Sequence, residues 1–304
     1  NFISSSPGTI LIDPSPEYVR EVREQVGQKA LIVVRFYEGE QPLLISPESD
    51  AWAWFASHLG RMVAIQDAQD HGPIAFEGYN EVGREALKPY IEFEAARLGF
   101  MQGADLCSVV GNWSVGVPEP EDWALIAEGL LCKLGKLDYV GLHEYGGVLR
   151  HVTDPNSPLV GRFLHPDAWR YLRNYHILIT EFGTDEFANS SFPPHERGVA
   201  GWKRLGITAR EYASTWVQAF SDRYEAIEQV QAAFAYGVGN FGHDAFDLSD
   251  VWPWVTVAYD SAPLPSEIAM PENEEGNLAK LLEKAVWWSE ELSRQLEAGN
   301  EQRA

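Results

Sequence analysis

Short apolar runs alternate with longer amphipathic segments along most of the chain. The apolar runs are continuous, which is typical of parallel strands buried on both faces. We predict strands at residues 9–12, 30–37, 73–79, 107–112, 138–143, 176–181 and 231–238. Helix-like segments lie near residues 16–26, 50–67, 84–102, 120–135, 166–173, 209–229 and 275–297.

Repeated strand–helix units predict a parallel sheet, either open and doubly wound or closed into a barrel. No glycine-rich phosphate loop follows an early strand, which argues against a nucleotide-binding open sheet. We therefore predict an α/β fold, a single (β/α)₈ barrel. Its eighth strand would lie at residues 1–4 and be truncated or irregular. Residues 1–304 then form one domain, with residues 275–304 as the final helix and an acidic tail.

Two of the predicted helices carry start signals. Ser15 precedes Pro16, so the serine hydroxyl can cap a helix that opens with proline. Residues 120–122, Pro-Glu-Asp, place a proline and two acids in the first turn of another helix.

Composition and charge limit the classes of molecule that the protein is expected to bind. The formal net charge of −22 repels phosphate backbones and anionic lipids, so we expect no nucleic acid partner and no membrane insertion. No apolar run approaches the ~20 residues of a membrane span. Cys107 and Cys132 form no disulfide framework, and the eight histidines include no HExxH spacing. We expect no metal.

Polar residues cluster where the predicted strands end, which is where a (β/α)₈ barrel carries its catalytic groups. The clusters are Tyr79-Asn80-Glu81, Asn112-Trp113, His143-Glu144-Tyr145, Thr180-Glu181 and Asn240-Phe241. Glu81 and Glu181 are the pair that retaining glycoside hydrolysis needs. One carboxylic acid protonates the leaving oxygen, and the other carboxylate attacks the sugar from ~5 Å away.

Three segments resemble clan A glycoside hydrolases, as in families 5 and 39. "FEGYNEV" at residues 76–82 resembles the Phe-Glu-x-aromatic-Asn-Glu-Pro motif of the fourth strand. "ILITEFG" at residues 177–183 is similar to the seventh strand, which carries the nucleophile. "HEY" at residues 143–145 is similar to the His-x-Tyr of the sixth strand in family 5.

The resemblance implies a retaining hydrolase of a β-linked oligo- or polysaccharide, and we expect endo-acting cleavage. Glu81 would be the acid/base and Glu181 the nucleophile. Asn80 would bind the sugar 2-hydroxyl, and Tyr145 would hydrogen-bond Glu181. Two carboxylates and water suffice, so no cofactor is expected.

The N-terminal strands match no clan motif, and the sequence departs from the clan pattern at two further places. Val82 stands where a proline usually follows the first glutamate, and Asn240 and Phe241 occupy the region of an expected sugar-stacking tryptophan. A second hypothesis is therefore a catalytically inactive barrel that binds carbohydrate as one module of a larger chain. A lyase or a metal-assisted hydrolase is a third.

Four more side chains are candidate substrate contacts. Tyr79 and Trp113 are candidates because they lie at the ends of predicted strands. His143 is interpreted as a catalytic helper, a metal ligand or a core histidine. Trp252 belongs to an aromatic-rich loop, residues 239–254, that either stacks on sugars or anchors itself to the barrel.

Glu77 has the same side-chain parity as Tyr79 and Glu81, so we expect all three to face the barrel interior. An unpaired charge there is costly. We predict that Arg35, near the end of the preceding strand, forms a buried pair with Glu77 beneath the site. Alternatively Arg35 is the substrate-side arginine of the clan, an assignment that fails if residues 30–37 are the third strand.

Overall fold

The structure is a computed structural model that describes residues 8–37, 44–69, 72–113, 117–146, 160–184, 206–235, 248–251 and 253–255. Seven strands form one sheet in chain order, and every neighbouring pair is parallel. They are β1 (Gly8–Ile12), β2 (Leu31–Arg35), β3 (Ile74–Glu77), β4 (Ser108–Trp113), β5 (Tyr139–Gly146), β6 (His176–Thr184) and β7 (Val230–Ala235).

Helices follow the strands at the predicted places. They are α1 (Pro16–Val26), α2 (Pro47–Ala68), α3 (Leu87–Gly103), α4 (Trp123–Gly129), α5 (Pro166–Leu172) and α6 (Ala209–Phe220), which continues as a π-turn, Ser221–Glu225. None of these described helices is long and apolar enough to cross a membrane.

The sheet curls until its first and last strands meet. β1 and β7 are in contact, and Gly8 lies against the ring of Phe234. The predicted α/β class and its nearly closed parallel barrel are confirmed. The predicted strand at residues 1–4 and the predicted helix at residues 275–297 lie outside the described residues.

The predicted helix starts are largely confirmed. The Ser15 hydroxyl accepts a hydrogen bond from the Tyr18 N–H at 3.2 Å. The segment 120–122 is a 3₁₀ turn that α4 follows directly. Glu119 and Asp122 close this turn as a capping box, in which each side chain accepts from the other residue's N–H.

Apolar side chains fill two layers, because residues of each strand alternate between the barrel interior and the helix side. The outer layer is the larger and lies between strands and helices. Within the part of the chain that the structure describes, the inner layer is the smaller one and contains Leu31, Val33, Ala75, Val109, Leu178, Ala232 and Phe234. Charged side chains of the strand ends lie above this inner layer.

Glu144 on β5 is buried on the helix side. Its carboxylate accepts hydrogen bonds from the Gly161 N–H and, at 3.2 Å, from the Tyr224 hydroxyl. Burial raises the pKa of Glu144 to about 7, although these two bonds and the charges of Arg223 and Arg162 act in the opposite direction. Folding therefore favours the protonated form of this side chain.

The pKa of Glu144 is higher in the folded state than in the unfolded state. The contribution of Glu144 to stability should therefore fall as the pH rises from about 4.5 to about 7. A Glu144→Gln variant should lack this decline and gain up to about 3 kcal/mol over the wild type near neutrality. Urea unfolding across this pH range measures the difference. The matched control, Glu228→Gln at an exposed position, should keep the wild-type slope, and an unchanged slope in Glu144→Gln would contradict the assignment.

Candidate active site

Glu81 and Glu181 converge at the carboxyl ends of the strands. Glu81 lies just after β3 and Glu181 lies within β6. One oxygen of each carboxylate and one ring nitrogen of His143 all lie within 4.8 Å of one another. The side chain of Glu81 is 48% exposed, whereas that of Glu181 is 5% exposed. Two carboxylates thus meet in different environments.

The turn after β3 gives Glu81 its direction. Glu81 has a left-handed backbone, with φ of 55°. Its N–H donates to the carbonyl oxygen of Asn112 at 2.8 Å. Asn112 is itself left-handed, with φ of 48°. Such conformations are uncommon for residues other than glycine and are often found at functional sites, where the surrounding structure holds them.

Both oxygens of Glu181 accept hydrogen bonds. Arg35 donates to Oε1, and the Tyr145 hydroxyl donates to Oε2 at 2.7 Å. Burial alone would raise the pKa of Glu181. The charges of His143 and Arg35, with the bonds from Arg35 and Tyr145, outweigh burial and lower it. Glu181 is therefore held as a carboxylate, and the predicted contact with Tyr145 is confirmed.

The predicted pair of Arg35 and Glu77 is also present. The Nε of Arg35 donates to Oε2 of Glu77, and both side chains are buried. Burial alone would lower the pKa of Arg35, but the charges of Glu77 and Glu181 more than offset this and raise it. One guanidinium thus links β2 to β3 and to β6.

His143 lies between the two catalytic candidates. Its Nδ1 is 3.3 Å from Oε1 of Glu81, and its Nε2 is 3.5 Å from Oε1 of Glu181. The ring is buried and stands edge-on to Tyr145. The imidazole therefore lies close to both carboxylates and can hydrogen-bond Glu81 through Nδ1.

The same three side chains, Glu81, His143 and Glu181, could each offer one atom to a metal ion. A cation bound through Oε1 of Glu181 would share that oxygen with the guanidinium of Arg35. Because like charges repel strongly in a buried site, this arrangement disfavours a divalent ion. The donor set fits a carboxylate pair better than a metal centre.

Two predicted substrate contacts lie elsewhere. Trp113 is 1% exposed and packs edge-on against Tyr90 and Trp123 in the outer layer, so it offers no face to a sugar ring. Tyr79 stacks on Phe93 of α3 at 4.5 Å, because β3 has already ended at Glu77. The expected common face of Glu77, Tyr79 and Glu81 is therefore wrong.

The remaining predicted residues are only partly described. Asn80 is half-buried beside Glu81, and its bond to a sugar hydroxyl stays a prediction. Asn240, Phe241 and Trp252 lie outside the described residues. Sequence reasoning named Thr180 in a strand-end cluster but gave it no role; its hydroxyl donates to Oδ1 of Asn112 at 2.8 Å. A lone polar residue before Glu181 in an otherwise apolar run was the available signal.

Replacing Arg35 with methionine should leave Glu77 and Glu181 buried without their positive partner. We expect a loss of about 3–5 kcal/mol in the free energy of unfolding. Removing one partner of a buried ion pair leaves the other charge buried, and nothing then compensates for its lost hydration. Urea denaturation measures it. An Arg35→Met, Glu77→Leu double variant should recover part of the loss, and Arg84→Met, at an exposed ion pair, should change little. Wild-type stability in Arg35→Met would refute this account.

Neither a protein-family model nor a curated protein sequence matches this chain. Among solved structures, a glucosidase from Croceicoccus marinus superposes with a TM-score of 0.50 at 12% identity, over 77% of this chain and 48% of that one. The chain thus spans about half the length of that glucosidase. XEG5A, a GH5 xyloglucan-specific endo-β-1,4-glucanase from a metagenomic library, solved with cellotriose, gives a TM-score of 0.39 at 12% identity over 81% and 88% of the two chains. The barrel fold is shared with the glucosidase.

Proposed function

We propose that the protein is a retaining glycoside hydrolase of a β-linked glycan, with Glu81 as acid/base and Glu181 as nucleophile. One observation carries the proposal: a half-exposed and a buried carboxylate, from different strand ends, approach within 4.8 Å of each other. Retaining enzymes place their carboxyl groups ≈ 5–5.5 Å apart, too close for a water molecule to attack between them as inversion requires.

The environments of the two glutamates suit two different roles. Glu181 accepts bonds from Arg35 and Tyr145, which favour its ionised form, as a nucleophile requires. Glu81 is open to solvent, where it can exchange protons with an incoming or leaving group. His143 lies between them, with Nδ1 3.3 Å from Oε1 of Glu81 and Nε2 3.5 Å from Oε1 of Glu181.

The reaction would take two displacements. In the first, an oxygen of Glu181 attacks the anomeric carbon while the protonated Glu81 gives its proton to the glycosidic oxygen, and the leaving sugar departs as an alcohol. In the second, ionised Glu81 takes a proton from water as the water oxygen attacks the same carbon, which frees the Glu181 carboxylate. Asn80 beside Glu81 would bind the 2-hydroxyl, a contact that strengthens in the transition state.

A Glu181→Ala variant should lose turnover by on the order of 10⁴-fold or more, because no group remains to form the covalent intermediate. Azide should partly restore hydrolysis of activated aryl glycosides and give glycosyl azide of inverted anomeric configuration. Steady-state rates and product analysis test this. Full activity in Glu181→Ala would end the proposal.

Glu81→Gln should slow natural glycosides far more than aryl glycosides with good leaving groups, since these need little acid assistance in the first step. The glutamine keeps the side-chain size at a position whose backbone is left-handed. Glu85→Gln, at an exposed carboxylate in the next turn, is the matched control and should retain wild-type rates. Equal loss on both substrate classes would remove Glu81 from the acid/base role.

The sugar released from a β-linked substrate should first appear as the β-anomer, because two inversions restore the starting configuration. Proton NMR during hydrolysis of a panel of β-glucans, xylans and mannans reads the anomer directly. Endo action predicts a fall in viscosity that precedes the release of small sugars. An α-anomer product would contradict the retaining mechanism, and sugar binding without any product would favour a non-catalytic barrel.

A further inference from the structure

We propose that Asn112 and Thr180 form a positioning pair that sets the distance and the aim of Glu81 and Glu181. The inference rests on the proposed function, because it assigns these two residues a part in the catalysis of the same site. The two side chains hydrogen-bond each other. Each acts through the backbone next to one of the glutamates.

Both residues are extra residues in β-bulges. Between β4 and β5, Gly111 pairs with Gly141 and Trp113 pairs with Leu142, so Asn112 has no partner position. Between β5 and β6, Ile179 pairs with Leu142 and Glu181 pairs with His143, so Thr180 has no partner position either. A bulge inserts one residue into a strand and redirects the side chains that follow it.

The two bulges are joined to each other across β5. The Thr180 hydroxyl donates to Oδ1 of Asn112 at 2.8 Å, and both side chains are buried. The amide of Asn112 passes over Gly141, where a methyl group would overlap its oxygen. The absence of a side chain at Gly141 therefore makes the link between the flanking strands possible.

Each end of this link fixes one glutamate. The carbonyl oxygen of Asn112 accepts from the N–H of Glu81 and so holds the left-handed turn that directs Glu81. On β6, Thr180 and Glu181 are consecutive, yet Thr180 reaches Asn112 while Glu181 reaches Arg35 and Tyr145. Neighbours on a regular strand point to opposite faces, so the bulge is what lets both face the interior.

Catalysis is sensitive to such placement, because a shift of about 1 Å in a reacting group can cost on the order of 10²-fold in rate. Thr180→Val keeps the branched shape and removes the hydroxyl. We expect kcat to fall ~10- to 100-fold with KM within ~3-fold, since the loss is in alignment and not in binding. Thr180→Ser keeps the hydroxyl and should stay within ~3-fold of the wild type.

Asn112→Gly is the second single variant of a double-mutant cycle with Thr180→Val. Glycine accepts the φ of 48° and removes the whole side chain, both the amide and its methylene. Asn112→Gly should show the kcat loss of Thr180→Val, and the double variant should be no worse than either single variant, because all three break the same link. Additive losses, or Thr180→Val with wild-type kcat and a lowered melting temperature alone, would overturn the proposal and leave a packing role.

A readout that does not depend on activity separates this inference from the proposed function. Crystal structures of the wild type, Thr180→Val and Thr180→Ser should show a changed separation of the Glu81 and Glu181 oxygens in the valine variant only. If the wild type hydrolyses no glycoside, the function fails while this measurement still tests the link. An unchanged separation in Thr180→Val would refute the positioning pair even in an active enzyme.

Discussion

One guanidinium in the barrel mouth determines how the surrounding charges are arranged. Arg35 hydrogen-bonds Glu77 and Glu181, which are both buried, and the charges of His143 and Arg35 lower the pKa of Glu181 against the effect of burial. Because the same group contacts strands β2, β3 and β6, it fixes the orientation of Glu181 from the opposite side of the barrel. Arg35 therefore contributes both to the ionisation state and to the position of the nucleophile candidate.

A second buried ion pair supports the site from the helix side. Glu94 and Arg97 of α3 are fully buried and hydrogen-bonded at 2.7 Å, and Arg97 also donates to the carbonyl oxygen of Val109 at 2.9 Å. Gly78, in the turn that leads to Glu81, leaves room for this pair, since a methyl group there would overlap the carboxylate of Glu94. The end of β3 is therefore stabilised by two sets of charged contacts, those of Arg35 in the barrel interior and those of Glu94 and Arg97 on the helix side.

Periodicity and chemistry predicted the order of strands and the convergence of Glu81 and Glu181. The contact of Arg35 with Glu77 was also predictable, because alternation along a strand and the cost of a buried charge are local rules. The two bulges could not be predicted from the sequence, because a bulge depends on the register of a strand against its neighbour. The periodicity of a single segment does not show it. The bulge at Asn112 reverses the alternation, which is why Trp113 faces the helices although its strand-end position suggested the mouth.

Gly141 limits how the sequence of this barrel can vary. Any larger residue there would collide with the amide of Asn112 that crosses above it. Such a residue becomes acceptable only if position 112 is shortened at the same time, and each change alone is unfavourable. These two positions should therefore covary among natural relatives, and a designer who diversifies the interior of this protein must treat them as a single unit.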